Sequence, residues 1–218
     1  LGKVESHGII GDVLLWIQEF LNNRKQKVNI NGSSSEWCNV LSGVPQGSVL
    51  AALLFVIFIN DLPEEIKSHI FMFADDLKFF RHILTTEDTE IMQNDLNILH
   101  EWSKKWLLSF HPDKCVTLRI SLKKDQEKQT YYLGEHPLKN VDEVRDLGII
   151  VDSKLQFQKH TATKVNKANQ MWGTVRRTFK HMNEDIFRKP FCAHVRPHLE
   201  YAVQFWSPYL RKNINQVE

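Results

Sequence analysis

The chain has 218 residues, 42% apolar and 25% charged, enough for one substantial domain and a smaller appendage and too apolar for a wholly disordered polymer. Its net charge of +2 does not by itself announce a polyanion partner, and three widely spaced cysteines (Cys38, Cys115, Cys192) without a CxxC pair argue against a disulfide framework and for a reducing, intracellular setting. The longest apolar run, residues 49–59, falls short of the roughly 20 residues a membrane helix needs, so a buried helix and no membrane span are expected. Leu1 is not a methionine and helical patterning starts almost at once, so a fragment of a longer chain is expected.

Val13, Ile17 and Phe20 recur at helical spacing, which predicts a helix over residues 12–21 with Asp12 as its cap. Residues 26–31 and 37–41 are predicted strands, with the turn in the Gly32-Ser33-Ser34-Ser35-Glu36 stretch between them. An irregular loop, residues 42–48, precedes an apolar helix over 49–60 that Pro63 closes. Residues 70–80, apolar on both sides of Asp75-Asp76, are a predicted hairpin with the two acids as its loop. Met92, Leu96, Leu99, Trp102 and Trp106 give residues 87–108 the strongest helical pattern, with acids in the first turn where the helix dipole favours them. Residues 116–120, 131–133 and 144–151 are predicted strands, with a turn at Gly134. Residues 157–180, and short stretches over 185–195 and 198–206, are predicted helices. The chain changes character near Asp152, where strands cease. Residues 154–189 hold nine Lys or Arg against Glu184 and Asp185, an asymmetry that fits either a polyanion-binding face or a solvated helix surface.

Adjacent carboxylates in a regular strand point to opposite faces, so Asp75 and Asp76 can serve one site only at a turn. Asp-Asp is a poor choice for a tight turn, and two like charges walled by Phe71, Phe73, Phe79 and Phe80 repel unless a divalent cation relieves them. Hard oxygen ligands suit magnesium, and magnesium suits phosphoryl chemistry. Two neighbouring acids also fit an ordinary solvated turn.

Phe73-Ala74-Asp75-Asp76 resembles the aromatic-x-Asp-Asp box of reverse transcriptases, in the form common to non-LTR, jockey-like retrotransposons of the LINE type. Ser42-Gly43-Val44-Pro45-Gln46-Gly47-Ser48, then Leu53-Leu54-Phe55 and Asn60-Asp61-Leu62-Pro63, resemble the second palm signature of that family. Residues 106–115, 147–152, 176–179, 195–201 and 206–208 are similar to its later segments, so the likeness runs along essentially the whole chain.

The resemblance implies an α+β palm over residues 1–151, a ferredoxin-like sheet with helices on one face, and the start of a helical thumb over 152–218. It implies an RNA-directed DNA polymerase using an RNA template, a DNA primer, deoxynucleoside triphosphates and Mg2+ or Mn2+. Asp75 and Asp76 would be catalytic metal ligands, and Lys114 would lie by the leaving pyrophosphate. Pro45, Gln46 and Gly47 would border the nucleotide and template, and Phe73 would pack beneath the primer terminus. Leu147 and Gly148 would belong to the primer-grip hairpin, and Lys164, Lys167, Arg176, Arg177 and Lys180 would hold the nucleic-acid backbone. No protein partner is implied.

The departures define the rival readings. The first palm signature, with its strand and a further catalytic aspartate, falls before Leu1, so the chain by itself is expected to be inactive. Ala51-Ala52 stands for the usual Gly-Pro, Leu77 for Thr, His111-Pro112 for an Asn-containing segment, and Pro190 falls in an expected helix, the pattern of a drifting element copy. A non-catalytic binder of RNA or heteroduplex, and an inert relic, are the alternatives. Cys192, His194 and His198 are too few for a zinc site, Trp102 and Trp106 are expected in the core, and Lys123, Lys124 and Lys128 in a solvated loop.

Overall fold

The computed structural model describes residues 1–122, 129–179, 181 and 183–217; Lys123, Lys124, Lys128 and Lys180 lie outside them. The fold is α+β. The chain divides into two compact units, Leu1–Phe110 and His111–Glu218. No helix among the described residues is long and apolar enough to cross a membrane.

The first unit opens with α1 (Gly2–Ser6) and α2 (Gly11–Leu21). The cap of α2 is the backbone of Ile10, and Asp12 is a first-turn acid instead of the expected cap. Val13 is exposed; Ile17 is the buried position and packs with Val4, Leu54, Leu14 and Leu21. The next four strands are two residues each: β1 (Lys25–Gln26), β2 (Asn29–Ile30), β3 (Ser33–Ser34) and β4 (Cys38–Asn39). β2 pairs with β3 and β1 with β4. The turn is Asn31-Gly32, both at positive φ (51° and 84°), and Ser33–Ser34 are strand. Asn-Gly takes a two-residue turn of this hand at little cost, which displaces the turn from the serine stretch.

Ser48 caps α3 (Val49–Ile59), its Oγ accepting from the Ala51 N–H at 3.5 Å. This helix is not buried throughout. Ala51, Leu54 and Ile59 are buried, whereas Val49, Leu53 and Val56 are exposed, because its neighbours cover one stripe only. β5 (His69–Phe73) and β6 (Asp76–Phe80) form an antiparallel hairpin. α4 (Thr86–Trp106) follows, started by a capping box in which Thr85 and Asp88 bond each other's backbone.

Two buried or half-buried polar groups tie these elements together. Asp95, fully buried on α4, accepts from the backbone N–H of Lys67 (3.1 Å) and Ser68 (2.9 Å), just before β5. Lys3 donates to the Phe58 carbonyl and to Asp61 Oδ1, both at 2.6 Å, with its ammonium 3.6 Å from the Trp106 ring centre. The Trp102 indole N–H donates to the same Asp61 oxygen. Trp102 and Trp106 are thus half-buried walls around a cation as well as packing residues.

The second unit begins with a 3-10 turn over Pro112–Lys114. β7 (Val116–Leu118) follows, then β8 (Tyr132–Leu133), β9 (His136–Pro137), β10 (Lys139–Val141), β11 (Glu143–Asp146) and β12 (Ile149–Asp152). β7 and β10 pair in parallel, and β8–β9 and β11–β12 are hairpins. Among the described residues every ladder in the chain is two-stranded, so the larger sheet expected of a palm is not assembled here; strands of two to five residues offer few ladder bonds.

Beyond Asp152 the described elements are all helical: α5 (Gln158–Thr178), α6 (Glu184–Pro190), α7 (Arg196–Glu200), α8 (Val203–Trp206) and α9 (Arg211–Val217). The expected helix over 185–195 divides. α6 ends at Pro190 and a π-helical turn, Phe191–Val195, follows, as expected where proline removes a donor from the helical ladder. Ile149, Val151, Phe157 and Trp206 form the core of this unit.

Candidate active site and nucleic-acid interface

In the first unit the pairing of Phe73 with Asp76 leaves Ala74 and Asp75 as the two-residue loop. The acidic pair therefore straddles the loop and the strand, because the loop falls one residue earlier than a loop of Asp75 and Asp76 would. The shift has a backbone consequence: Ala74 sits at φ 52°, a left-handed conformation that favours glycine. Asp75 and Asp76 both rim a small cavity of about 30 Å³ whose other walls are apolar, among them Phe55, Ile59, Leu62 and Met72. Leu77, at the position where the resemblance has Thr, lines it too.

The hairpin has two unlike faces. Ile70, Met72, Leu77 and Phe79 are half-buried, while Phe71, Phe73, Lys78 and Phe80 are exposed on the face that Asp76 shares. Phe80 stacks on His69 at 5.0 Å and on Phe71 at 5.7 Å. Phe73, paired directly with Asp76, is 65% exposed.

Pro45, Gln46 and Gly47 form the tight turn before α3. Gly47 has φ 83° and open space where a Cβ would stand. They do not line the acidic cavity. Arg24, which the sequence reading passed over, holds the start of this loop: Nη2 donates to the Gly43 carbonyl at 2.5 Å and Nε to Leu21 at 2.8 Å. Asp95 was also missed. A lone acid on the inner face of an amphipathic helix was the signal available for it.

In the second unit Lys114 ends the 3-10 turn and is exposed. Leu147 and Gly148 are the two-residue loop between β11 and β12, both at positive φ (44° and 84°). The hairpin is held to α5 by His160, which is 1% exposed and accepts from the Ile150 N–H through Nδ1 at 3.1 Å. Burial, then the nearby Lys164 and Arg145 charges, push its pKa down to about 4, so the ring is neutral and fit to accept. Asp152 closes the exit of the hairpin by accepting from the N–H groups of Lys154, Gln156 and Phe157.

The cations of α5 do not make one stripe. At about 100° per residue Lys164 falls within the buried stripe of His160, Thr161, Ala168 and Val175, Lys167 lies on one flank of that stripe and Arg176 on the other, and Arg177 faces away from it. Lys164 is half-buried and the other three are exposed.

Two adjacent carboxylates on a tight turn fit the one or two that magnesium takes from a protein while keeping positions for water and phosphate. Among the described residues no group of three or more His, Cys, Asp or Glu side chains is disposed to hold a metal, so the pair alone is the candidate.

An acidic turn beside an apolar cavity and a glycine turn before a helix fit metal-assisted phosphoryl chemistry. Comparison with known proteins agrees: a family model described as reverse transcriptase (RNA-dependent DNA polymerase) matches residues 2–151, and the chain belongs to that family. The RNA-directed DNA polymerase from mobile element jockey of Drosophila funebris is 27% identical over 217 residues, covering 92% of this chain and 23% of that protein. Two Drosophila melanogaster proteins are 25% identical, each over 93% of this chain: the probable RNA-directed DNA polymerase from transposon X-element (23% of its length) and that from transposon BS (24%). The chain thus spans under a quarter of the length of these relatives. No solved structure matches it.

Proposed function

We propose that the chain contributes the palm (residues 1–151) and the start of a helical thumb (residues 152–218) to an RNA-directed DNA polymerase of a non-LTR retrotransposon, acting inside the cell on an RNA template, a DNA primer and deoxynucleoside triphosphates. The observation that carries this reading is the Asp75–Asp76 pair, set across a tight turn on the rim of an apolar cavity with exposed Phe73 beside it. Asp75 and Asp76 would hold Mg2+, or Mn2+ in its place, and the chemistry the ion would supply there is neutralisation of phosphate charge. Phe73 offers its face to the primer end, and the turn of Pro45, Gln46 and Gly47 borders nucleotide and template. Lys114 can donate a proton to the leaving pyrophosphate. The Leu147–Gly148 turn and the α5 cations Lys164, Lys167, Arg176 and Arg177 hold the backbone without reading its sequence.

The pair supplies only two carboxylates, so the chain alone is expected to extend a primer weakly at most. The test is magnesium-dependent primer extension on an RNA template by this chain and by an Asp75→Asn, Asp76→Asn double variant. Extension confined to the unsubstituted chain supports the assignment, and extension that survives in the variant refutes it. No extension from either, with both still binding heteroduplex, would leave a non-catalytic nucleic-acid-binding segment as the better description.

A further inference from the structure

Tyr201 and the nearby Trp206 are given no task by the polymerase reading, yet Trp206 anchors Tyr201 and Tyr201 reaches the Leu147–Gly148 turn. Trp206, 1% exposed in the core of the second unit, donates its indole N–H to the Tyr201 carbonyl at 2.8 Å. The Tyr201 N–H donates to Pro197 at 3.1 Å. The backbone of Tyr201 is therefore fixed from the core outward. Its side chain is 52% exposed, and the phenol donates to the Leu147 carbonyl at 3.0 Å. A Cβ at Gly148 would stand 3.6 Å from the tyrosine ring, and the Lys164 ammonium lies 5.3 Å from the ring centre. Arg145, on the strand that leads into the turn, is exposed and close enough to His160 for its charge to be felt there, as is that of Lys164.

An exposed hydrogen bond to a turn carbonyl adds little to folding, because water satisfies that carbonyl almost as well. What the bond does supply is a fixed position. The two-residue turn is held at a set distance from Lys164, on a residue that the core immobilises.

We propose that Tyr201 is the positioning residue of a seat for a nucleic-acid sugar-phosphate backbone, in which the Leu147–Gly148 turn lies against the strand and Lys164, with Arg145, meets its phosphates. This rests on the proposed polymerase function and adds to it the residue that aligns turn and cation. Lys164 is held over an aromatic face, which limits its wandering without neutralising its charge. A pre-ordered seat binds more tightly than the same groups left mobile, since the ordering cost is met at folding and not at binding.

The test measures binding of an RNA–DNA heteroduplex to the whole chain across a salt series, beside thermal melting of each protein. Tyr201→Phe keeps the ring and the Lys164 contact and removes the tie to Leu147. It is expected to weaken binding about three- to tenfold, the usual worth of one hydrogen bond, with an unchanged salt slope and an unchanged Tm. Lys164→Ala is expected to lower the slope of log Kd against log salt by about one. Tyr201→Phe binding like the unsubstituted chain, or losing affinity only as its Tm falls, overturns the positioning role. An unchanged slope in Lys164→Ala removes Lys164 from the seat and overturns the proposal as stated. Absence of heteroduplex binding by the unsubstituted chain overturns the nucleic-acid reading itself, a failure distinct from the other two.

Discussion

Single residues carry the strain and the titration of this protein. Leu147 holds φ 44° in a turn whose second residue is glycine, and a branched apolar side chain is poorly suited to that conformation. Leu147→Asn, which makes the favoured Asn-Gly turn, should raise stability by about 0.5–1 kcal/mol and Tm by roughly 1–4 °C at this chain size, read by thermal melting. His160 gives a pH signature. Its pKa in the fold is about 4, lowered first by burial, against about 6.5 in the unfolded chain. As pH falls through 6.5 the unfolded state takes up a proton that the folded state refuses. The stability tied to the neutral ring is therefore complete above pH 6.5 and drains away down to about pH 4. Unfolding curves at several pH values should show that fall, and His160→Gln should flatten it.

At the scale of elements, the hairpin that bears Asp75 and Asp76 depends on how its neighbours are anchored. Asp95→Ala would leave the N–H groups of Lys67 and Ser68 without their partner, at a cost of about 1–3 kcal/mol. The loss should appear as faster amide exchange in β5 and β6. The start of α4 is set by its capping box, and Thr85→Ala should cost about 1 kcal/mol by denaturant unfolding. The N–H groups of Leu84 and Thr85, with the Thr85 hydroxyl and Arg81, pull the Asp88 carboxyl down to about 2. Its contribution is present above the ordinary value near 3.8 and is lost as pH falls from there to about 2. Helices α3 and α4 were legible in the sequence because apolar spacing and end signals act locally. The turn at Asn31-Gly32 was misplaced because five consecutive polar residues hid a two-residue solution. The one-residue shift at Ala74 was hidden because the ladder register, and not the charge of the acids, selects which residues form a loop.

For the whole molecule, the polyanion reading of the basic segment has a consequence in salt. Heteroduplex binding should weaken steeply with ionic strength, indifferent to sequence, and Lys167→Ala and Arg177→Ala should each reduce the slope by about one. The charge asymmetry of residues 154–189 was visible in composition, but its distribution was not. Only helical phase and burial put Lys167 and Arg176 on opposite flanks of the buried stripe and Arg177 away from it. The sequence by itself determined the family, the α+β class, the acidic pair and the end of strand at Asp152, because short motifs and periodicity are local properties of the chain. The tertiary structure decided that Asp75 and Asp76 straddle a loop and a strand, that a single face of α3 is covered, and that Arg24, Asp95, His160 and Tyr201 fix the turns. Each of those facts depends on which distant backbone groups meet a side chain, and no pattern along the chain encodes such a meeting.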